Sequence, residues 1–316
     1  MIGKIGDDTI KKLFLDLFEP NSGELLRHLI VSKGDYSSYT LVLSPPDLDR
    51  AFLHYPGAND TFCMQDIDFN ELKDAEIFHF GYPPLMKSIY QSNGEELVKI
   101  FKRVKRMGML TSLDMAMPDP DSEAGKINWR EFLVNVLPYT DIFLPSIDEL
   151  LYMIGLNPPL TTGLLLEISD QLIAWGAKIV AIKLGENGTY FRSSNLGRPI
   201  IRIVPDEWSK REFISPAFDV EVAGTTGAGD ASVAGFLMSL AEGMNPVESV
   251  TIASAVGACC VESIDSTTGV RSLPEVLNRI KKGWKRLPVK IQLDSWAKVR
   301  GGVLLSPRDR NWKGGR

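Results

Sequence analysis

A chain of 316 residues, 44% apolar and 24% charged, can bury a large core, and that balance excludes a disordered tail, a collagenous repeat or a low-complexity linker. No apolar run is long enough to span a bilayer and the start lacks a signal-peptide pattern, so a cytoplasmic protein without a membrane partner is expected. The net charge of −5 is uneven: from Arg279 onward twelve Lys and Arg face two acids, a local +10 that leaves −15 elsewhere. No aromatic stacking pattern accompanies the basic end, which reads as a solvated terminal helix and loose end, not as a nucleic-acid surface.

Residues 10–17 place Ile10, Leu13, Phe14 and Leu17 on one helical face, and residues 39–43 and 51–54 predict short strands around Ser44-Pro45-Pro46-Asp47. Gly57-Ala58-Asn59 on its own is a loop. Cys63 lies far from Cys259 and Cys260; with neither disulfide nor metal spacing, all three are expected in the core of a protein from a reducing compartment. Ile77-Phe78-His79-Phe80-Gly81 predicts a buried strand ending in a turn; His79 could reach a substrate from it, but a core residue holding one hydrogen bond is the favoured reading. A helix over 95–107 turns Leu97, Ile100, Phe101 and Val104 inward. The strand predicted over 109–113 then delivers Asp114 at its carboxyl end, where open parallel sheets place ligands. Pro118 and Pro120 separate Asp119, Asp121 and Glu123, which fits a solvated turn better than a metal cluster.

After a short strand at 141–144, the segment Ser146 to Glu149 fits two readings equally: a helix start with well-placed acids, or a carboxylate for a divalent cation. A helix over 164–175 and a strand over 178–183 lead into a tight hairpin at Gly185 and Gly188, and further strands are expected near Ile201 and Val220. The stretch from Ala223 to Phe236 then changes character. Its glycine-rich half cannot be regular structure, whereas Val233, Phe236, Leu237 and Leu240 have helical spacing, so a helix is predicted from near Asp230. Opening helix amides lack internal partners and suit phosphate oxygens. An acid beside them is placed to take a proton from an attacking hydroxyl. The plainer reading makes Asp230 a helix cap. A further helix from Asn245-Pro246 to about residue 263 has a thin side at Ser254, Ala255 and Gly257. Strands alternating with helices predict an α/β fold, a mostly parallel sheet with helices on both faces.

Residues 225–237 resemble the second signature of the PfkB, or ribokinase-like, carbohydrate kinases, whose core is an acid or amide, Thr, any residue, then Gly-Ala-Gly-Asp; the first polar position is Gly224 here. The likeness runs in order from Gly3 to about Ile280. Gly57-Ala58-Asn59 is similar to the family's element beside the sugar, and Arg50 stands where some members have a Gly-Asp-Arg turn. Ser146 to Glu149 is similar to Asn-x-x-Glu, with Ser146 replacing the asparagine. Lys183 to Gly188 is similar to the Lys-x-Gly-x-x-Gly turn beneath the nucleotide.

The resemblance implies a ribokinase-like kinase domain over 1–285 with a small β-lid, then a basic extension over 286–316. It implies ATP-dependent phosphorylation of a primary hydroxyl of a sugar or sugar acid, with Asp230 as general base and the amides of Gly227, Ala228 and Gly229 as anion hole. Lys183, Gly185, Gly188, Thr225, Ser254 and Ser146 would serve the nucleotide, Gly57, Asn59, Arg50 and Asp114 the sugar, and Glu149 would organise Mg2+. With Gly224 in place of a polar side chain, the resemblance does not carry over activation by a monovalent cation. A homodimer joined through the lid is the protein partner it implies. A nucleoside kinase of the same family and a nucleotide-binding remnant without turnover are the alternatives. Residues 2–8 resemble a segment that relatives carry after their first strands and helix, and the usual opening strand and Gly-Gly-x-x-x-Asn motif have no counterpart. The chain is thus expected to begin partway into the fold, with an incomplete lid, poor solubility and weakly cooperative unfolding.

Overall fold

The computed structural model describes residues 1–22, 26–43, 51–197, 203 and 205–312, which fall into two units. The first comprises residues 1–75, 81–103 and 116–136. It contains β1 (Ile2–Gly6), α1 (Thr9–Ser22), β2 (His28–Ser32), β3 (Tyr39–Leu43), β4 (Ala51–Tyr55), α2 (Lys87–Tyr90), most of α3 (Glu95–Arg106) and α4 (Trp129–Val136). β1 and β2 pair in parallel with Ile2 opposite His28. Asp8 pins the entry to α1: its carboxylate accepts from the Ser37 amide at 2.7 Å, the Ser37 hydroxyl at 2.6 Å and the Lys11 amide at 3.0 Å. These bonds, the Ser37 hydroxyl first, hold its carboxyl below the usual range. The expected apolar face of α1 is only half covered. Ile10 and Phe14 are partly buried, but Leu13 and Leu17 are 59% and 68% exposed. A two-stranded sheet is too narrow to shelter the whole stripe of a helix. β3 and β4 form the expected antiparallel hairpin, Tyr39 opposite Tyr55, and expose apolar side chains on both faces.

The second unit comprises residues 76–80, 104–115 and 137–316. Its strands are β5 (Ile77–Phe80), β6 (Leu110–Leu113), β7 (Ile142–Phe143), β8 (Ile179–Lys183), β9 (Thr189–Ser193), β10 (Glu212–Ser215), β11 (Ala297–Lys298) and β12 (Leu304–Leu305). Its helices are α5 (Ile147–Met153), α6 (Thr162–Ala174), α7 (Pro205–Trp208), α8 (Ala228–Ala241), α9 (Pro246–Cys260) and α10 (Leu273–Lys281). The strands form one sheet in the order β5-β6-β7-β8-β9-β10-β12-β11. It is mixed: β5 to β8 run parallel, and every later pair is antiparallel.

Strand alternation explains how this sheet makes both a core and a site. Ile179, Ala181 and Lys183 share one face of β8, and Leu110, Ser112 and Asp114 one face of β6 and its exit. The apolar members of this set pack with Phe191, Trp208, Phe213, Phe236 and Val250; Phe191 stacks on Phe213 with ring centroids 4.8 Å apart. Each such side chain contributes roughly 1.5–3 kcal/mol on burial. At the carboxyl ends of the parallel strands the same face turns polar. Behind β6, Asp141 accepts from Lys105 and Lys178 at 2.6 Å and from the Thr111 amide at 3.1 Å. Burial alone would raise its carboxyl, but these bonds bring it below the usual range.

Two further sequence expectations change here. Val220 is not in a strand; Pro216 lacks an amide donor, β10 ends before it at Ser215, and Phe218 makes only a single bridge to Arg286. Ile201, like the turn Ser44 to Asp47, lies outside the described residues. As far as Trp312, the last described residue, the basic C-terminal segment is no loose end. β12 pairs with β10, and Asp309, whose side chain is fully buried, receives Arg211 Nε at 3.0 Å and the Glu212 amide at 2.8 Å. Glu212 in turn accepts from Tyr190 at 2.5 Å, from Arg192 and Arg308 at 3.0 Å, and from Ser306 at 3.1 Å.

Candidate active site

The glycine loop enters α8 through Gly227, the N-cap, at φ +79° with no side-chain cap. Few other residues adopt that conformation, and a Cβ there would lie 2.5 Å from the Cβ of Ser266. The helix begins two residues before Asp230, so the aspartate belongs to the first turn and does not cap it. The opening amides point past a cap that has no side chain, with the positive end of the helix dipole behind them. Asp230 itself is exposed, as is Thr225 in the loop before it. At Gly224 a Cβ would stand 2.8 Å from the Ile264 carbonyl oxygen, so the backbone leaves no room for the polar side chain of the resembling signature.

Lys183 comes to this loop from the end of β8: a Cβ on Gly229 would stand 3.4 Å from its Nζ. The ammonium donates to Asp114 Oδ1 at 2.8 Å. Asp114 is 2% exposed; burial pushes its carboxyl up to about 6, Lys183 pulls against that, and the charge of Glu149 adds to it. Asp114, expected beside the sugar, therefore sits under the lysine that lies against the glycine loop. Glu149 and Ser146 realise the helix-start reading through a reciprocal capping box on α5: Glu149 Oε2 accepts from the Ser146 amide at 2.7 Å, and Ser146 Oγ from the Glu149 amide at 3.3 Å. That leaves Glu149 Oε1 for a cation. Among the described residues no three acid, histidine or cysteine side chains converge as a metal cage.

His79 departs from expectation. It is not a core residue: the ring is exposed, with Nδ1 3.0 Å from Ser112 Oγ. Desolvation at its base, then the charge of Lys183, lowers its pKa to about 4, against the opposing pull of Asp230. Period-two alternation could have flagged it, because His79 lies opposite Ser112 on the face that carries Asp114 and Lys183.

The other expected residues are placed as follows. Gly185 and Gly188 bound the turn between β8 and β9, which Lys290 clasps through its amide to Asn187 Oδ1 at 2.7 Å. Ser254 is buried in α9 with its hydroxyl 3.3 Å from that of Thr189. Gly57 and Asn59 lie in the first unit, in a 3-10 turn over Gly57–Thr61. Arg50 lies outside the described residues. The second unit thus brings together the Gly227–Asp230 turn, Lys183, Asp114, Glu149 and His79.

A profile of the pfkB family of carbohydrate kinases matches residues 1–273. A sugar kinase of Archaeoglobus fulgidus, itself described as uncharacterized, is 26% identical over 269 residues, 85% of this chain and 93% of that one. Arabidopsis thaliana ribokinase complexed with ribose and ATP is similar in structure, with a TM-score of 0.68 at 21% identity over 88% of this chain and 80% of that one. Xylella fastidiosa fructokinase with bound ATP gives a TM-score of 0.69 at 20% identity over 89% and 84%.

Proposed function

Because the chain belongs to the pfkB family of carbohydrate kinases, we propose that it transfers the terminal phosphoryl group of ATP to a primary hydroxyl of a sugar. The observation that carries this reading is the uncapped amino end of α8, with Lys183 against Gly229 and an exposed Asp230 in its first turn. Bound ATP would supply the phosphoryl group and Mg2+ would neutralise its charge. Asp230 takes the proton from the attacking hydroxyl. The amides of Gly227, Ala228 and Gly229 hold the charge that develops on the phosphoryl oxygens, and Lys183 adds a fixed positive charge beside them. Asp114 holds Lys183 in place, and Glu149 would carry Mg2+ through water. Gly57, Asn59 and Arg50 are assigned to the sugar, and Gly185, Gly188 and Thr225 to the nucleotide, on the family resemblance.

The test is ADP release across a panel of sugars, sugar acids and nucleosides, with and without Asp230→Asn. A sugar-dependent rate that the substitution cuts by about a hundredfold or more, with ATP affinity kept, supports the reading. No acceptor-dependent rate with any panel member overturns it, and a nucleoside as the best acceptor changes the substrate class.

We also propose that two copies meet through the β3–β4 ribbon. Leu41, Leu43 and Leu53 on one face of it and Phe52 on the other are each at least 50% exposed, and exposed apolar surface of this kind marks an interface.

A further inference from the structure

One histidine on the active-site face has no part in the mechanism above. His79 lies in β5, level in register with Ser112 on β6. The Ser112 hydroxyl meets Nδ1 at 3.0 Å and fixes the plane of the ring, so Nε2 is the nitrogen left for a ligand. The surrounding charges say what that ligand can be. Asp230, Asp114 and Glu149 all act on this end of the sheet, and Lys183 is already bound to Asp114. A negatively charged acceptor would meet carboxylates there. The ring, held neutral by desolvation and by Lys183, offers it no compensating charge. A hydroxyl suits the position, because neutral imidazole can donate to it or accept from it.

We propose that His79 is a substrate-binding residue whose Nε2 hydrogen-bonds a hydroxyl of the acceptor, so that the enzyme selects a neutral sugar over a sugar acid. The proposal rests on the kinase reading and deepens it. Ser112 is the positioning residue, acting through the orientation of the ring.

Steady-state kinetics with His79→Ala, His79→Gln and Ser112→Ala tests this, with KM for the sugar and for ATP measured separately and the fold checked by thermal melting. His79→Ala is expected to raise the sugar KM about tenfold or more while moving the ATP KM less than about twofold. His79→Gln, which keeps a nitrogen near the same point, should recover much of the loss. Ser112→Ala should raise the sugar KM by a smaller factor in the same direction. The unsubstituted enzyme should use its best neutral sugar at least about tenfold better, in kcat/KM, than the corresponding sugar acid. An unchanged sugar KM in His79→Ala overturns the proposal, as does an equal rise in both KM values or a preference for the sugar acid; in each case the kinase reading stands. Absence of any acceptor-dependent turnover in the unsubstituted enzyme overturns both. A readout that needs no variant is the NMR signal of the His79 ring: it should move on addition of the best neutral sugar without ATP, and a stationary signal counts against the contact.

Discussion

At the carboxyl end of β6, burial lifts the Asp114 carboxyl to about 6 even though Lys183 sits 2.8 Å away. Its folded value lies above the 3.8 of the free side chain, so between the two the folded chain keeps a proton that the unfolded chain has lost. Ionised Asp114 therefore costs stability above about pH 6, and the cost fades as pH falls toward 4. Asp114→Asn imitates the protonated form. It should be more stable than the unsubstituted protein by up to about 3 kcal/mol at pH 8, with the difference closing at low pH, as read from urea unfolding at a series of pH values. A difference that stays constant with pH would place the effect elsewhere. The same variant should turn over more slowly, because Lys183 loses its anchor, which is the usual exchange of stability for a working site. Gly224 bears on a second measurement. It supplies no side-chain oxygen, so replacing Na+ by K+ should change kcat less than about twofold; a steep potassium dependence would show that another group holds the ion. Asp230, Lys183 and Glu149 were legible because spacing and motif name them. His79 was legible only in part: a substrate contact was the lesser of its two readings, since a strand of apolar residues around a histidine looks the same in a core as on an open sheet face.

The entry to α8 is the element on which the site depends. Gly227→Ala puts a side chain into a positive-φ position and 2.5 Å from Ser266. The strain should cost about 1–3 kcal/mol and weaken ATP binding in calorimetry; full affinity with unchanged stability would remove this turn from the phosphate site. Helical spacing made α3, α6, α8 and α9 readable to within a few residues, and runs of β-branched and apolar residues revealed β5, β6 and β8. β1, β2 and α4 escaped, and so did two kinds of element for a definite physical reason. β10 went unread because Arg211 and Glu212 look like surface residues, and only the folded chain supplies the partners that let them be buried. β11 and β12 are two residues each, too short for any period to show. Their charged neighbours made the segment look solvated, whereas Asp309 inserts between Arg211 and the Glu212 amide. Asp309→Ala should therefore lose about 3–5 kcal/mol in denaturant unfolding, far more than a solvated tail residue would. A loss within about 0.5 kcal/mol would contradict the buried pair.

For the molecule as a whole, the pfkB profile and the α/β alternation agree on one fold class, and what the sequence understated is the antiparallel half of the sheet. If the β3–β4 ribbon joins two copies, sedimentation velocity at micromolar concentration should show a dimer, and Leu41→Glu with Phe52→Glu should give a monomer with its melt unchanged. A monomer before substitution would refute the interface.

The strand order has a consequence for how the protein is made. From β5 to β10 each strand lies beside the one translated just before it. A chain emerging from the ribosome can therefore add strands one at a time to a growing edge, with little searching between distant segments. Until the next strand arrives that edge stays open and able to recruit the wrong partner. Pauses in translation between Ile179 and Ser215 should therefore leave the nascent chain most dependent on chaperones.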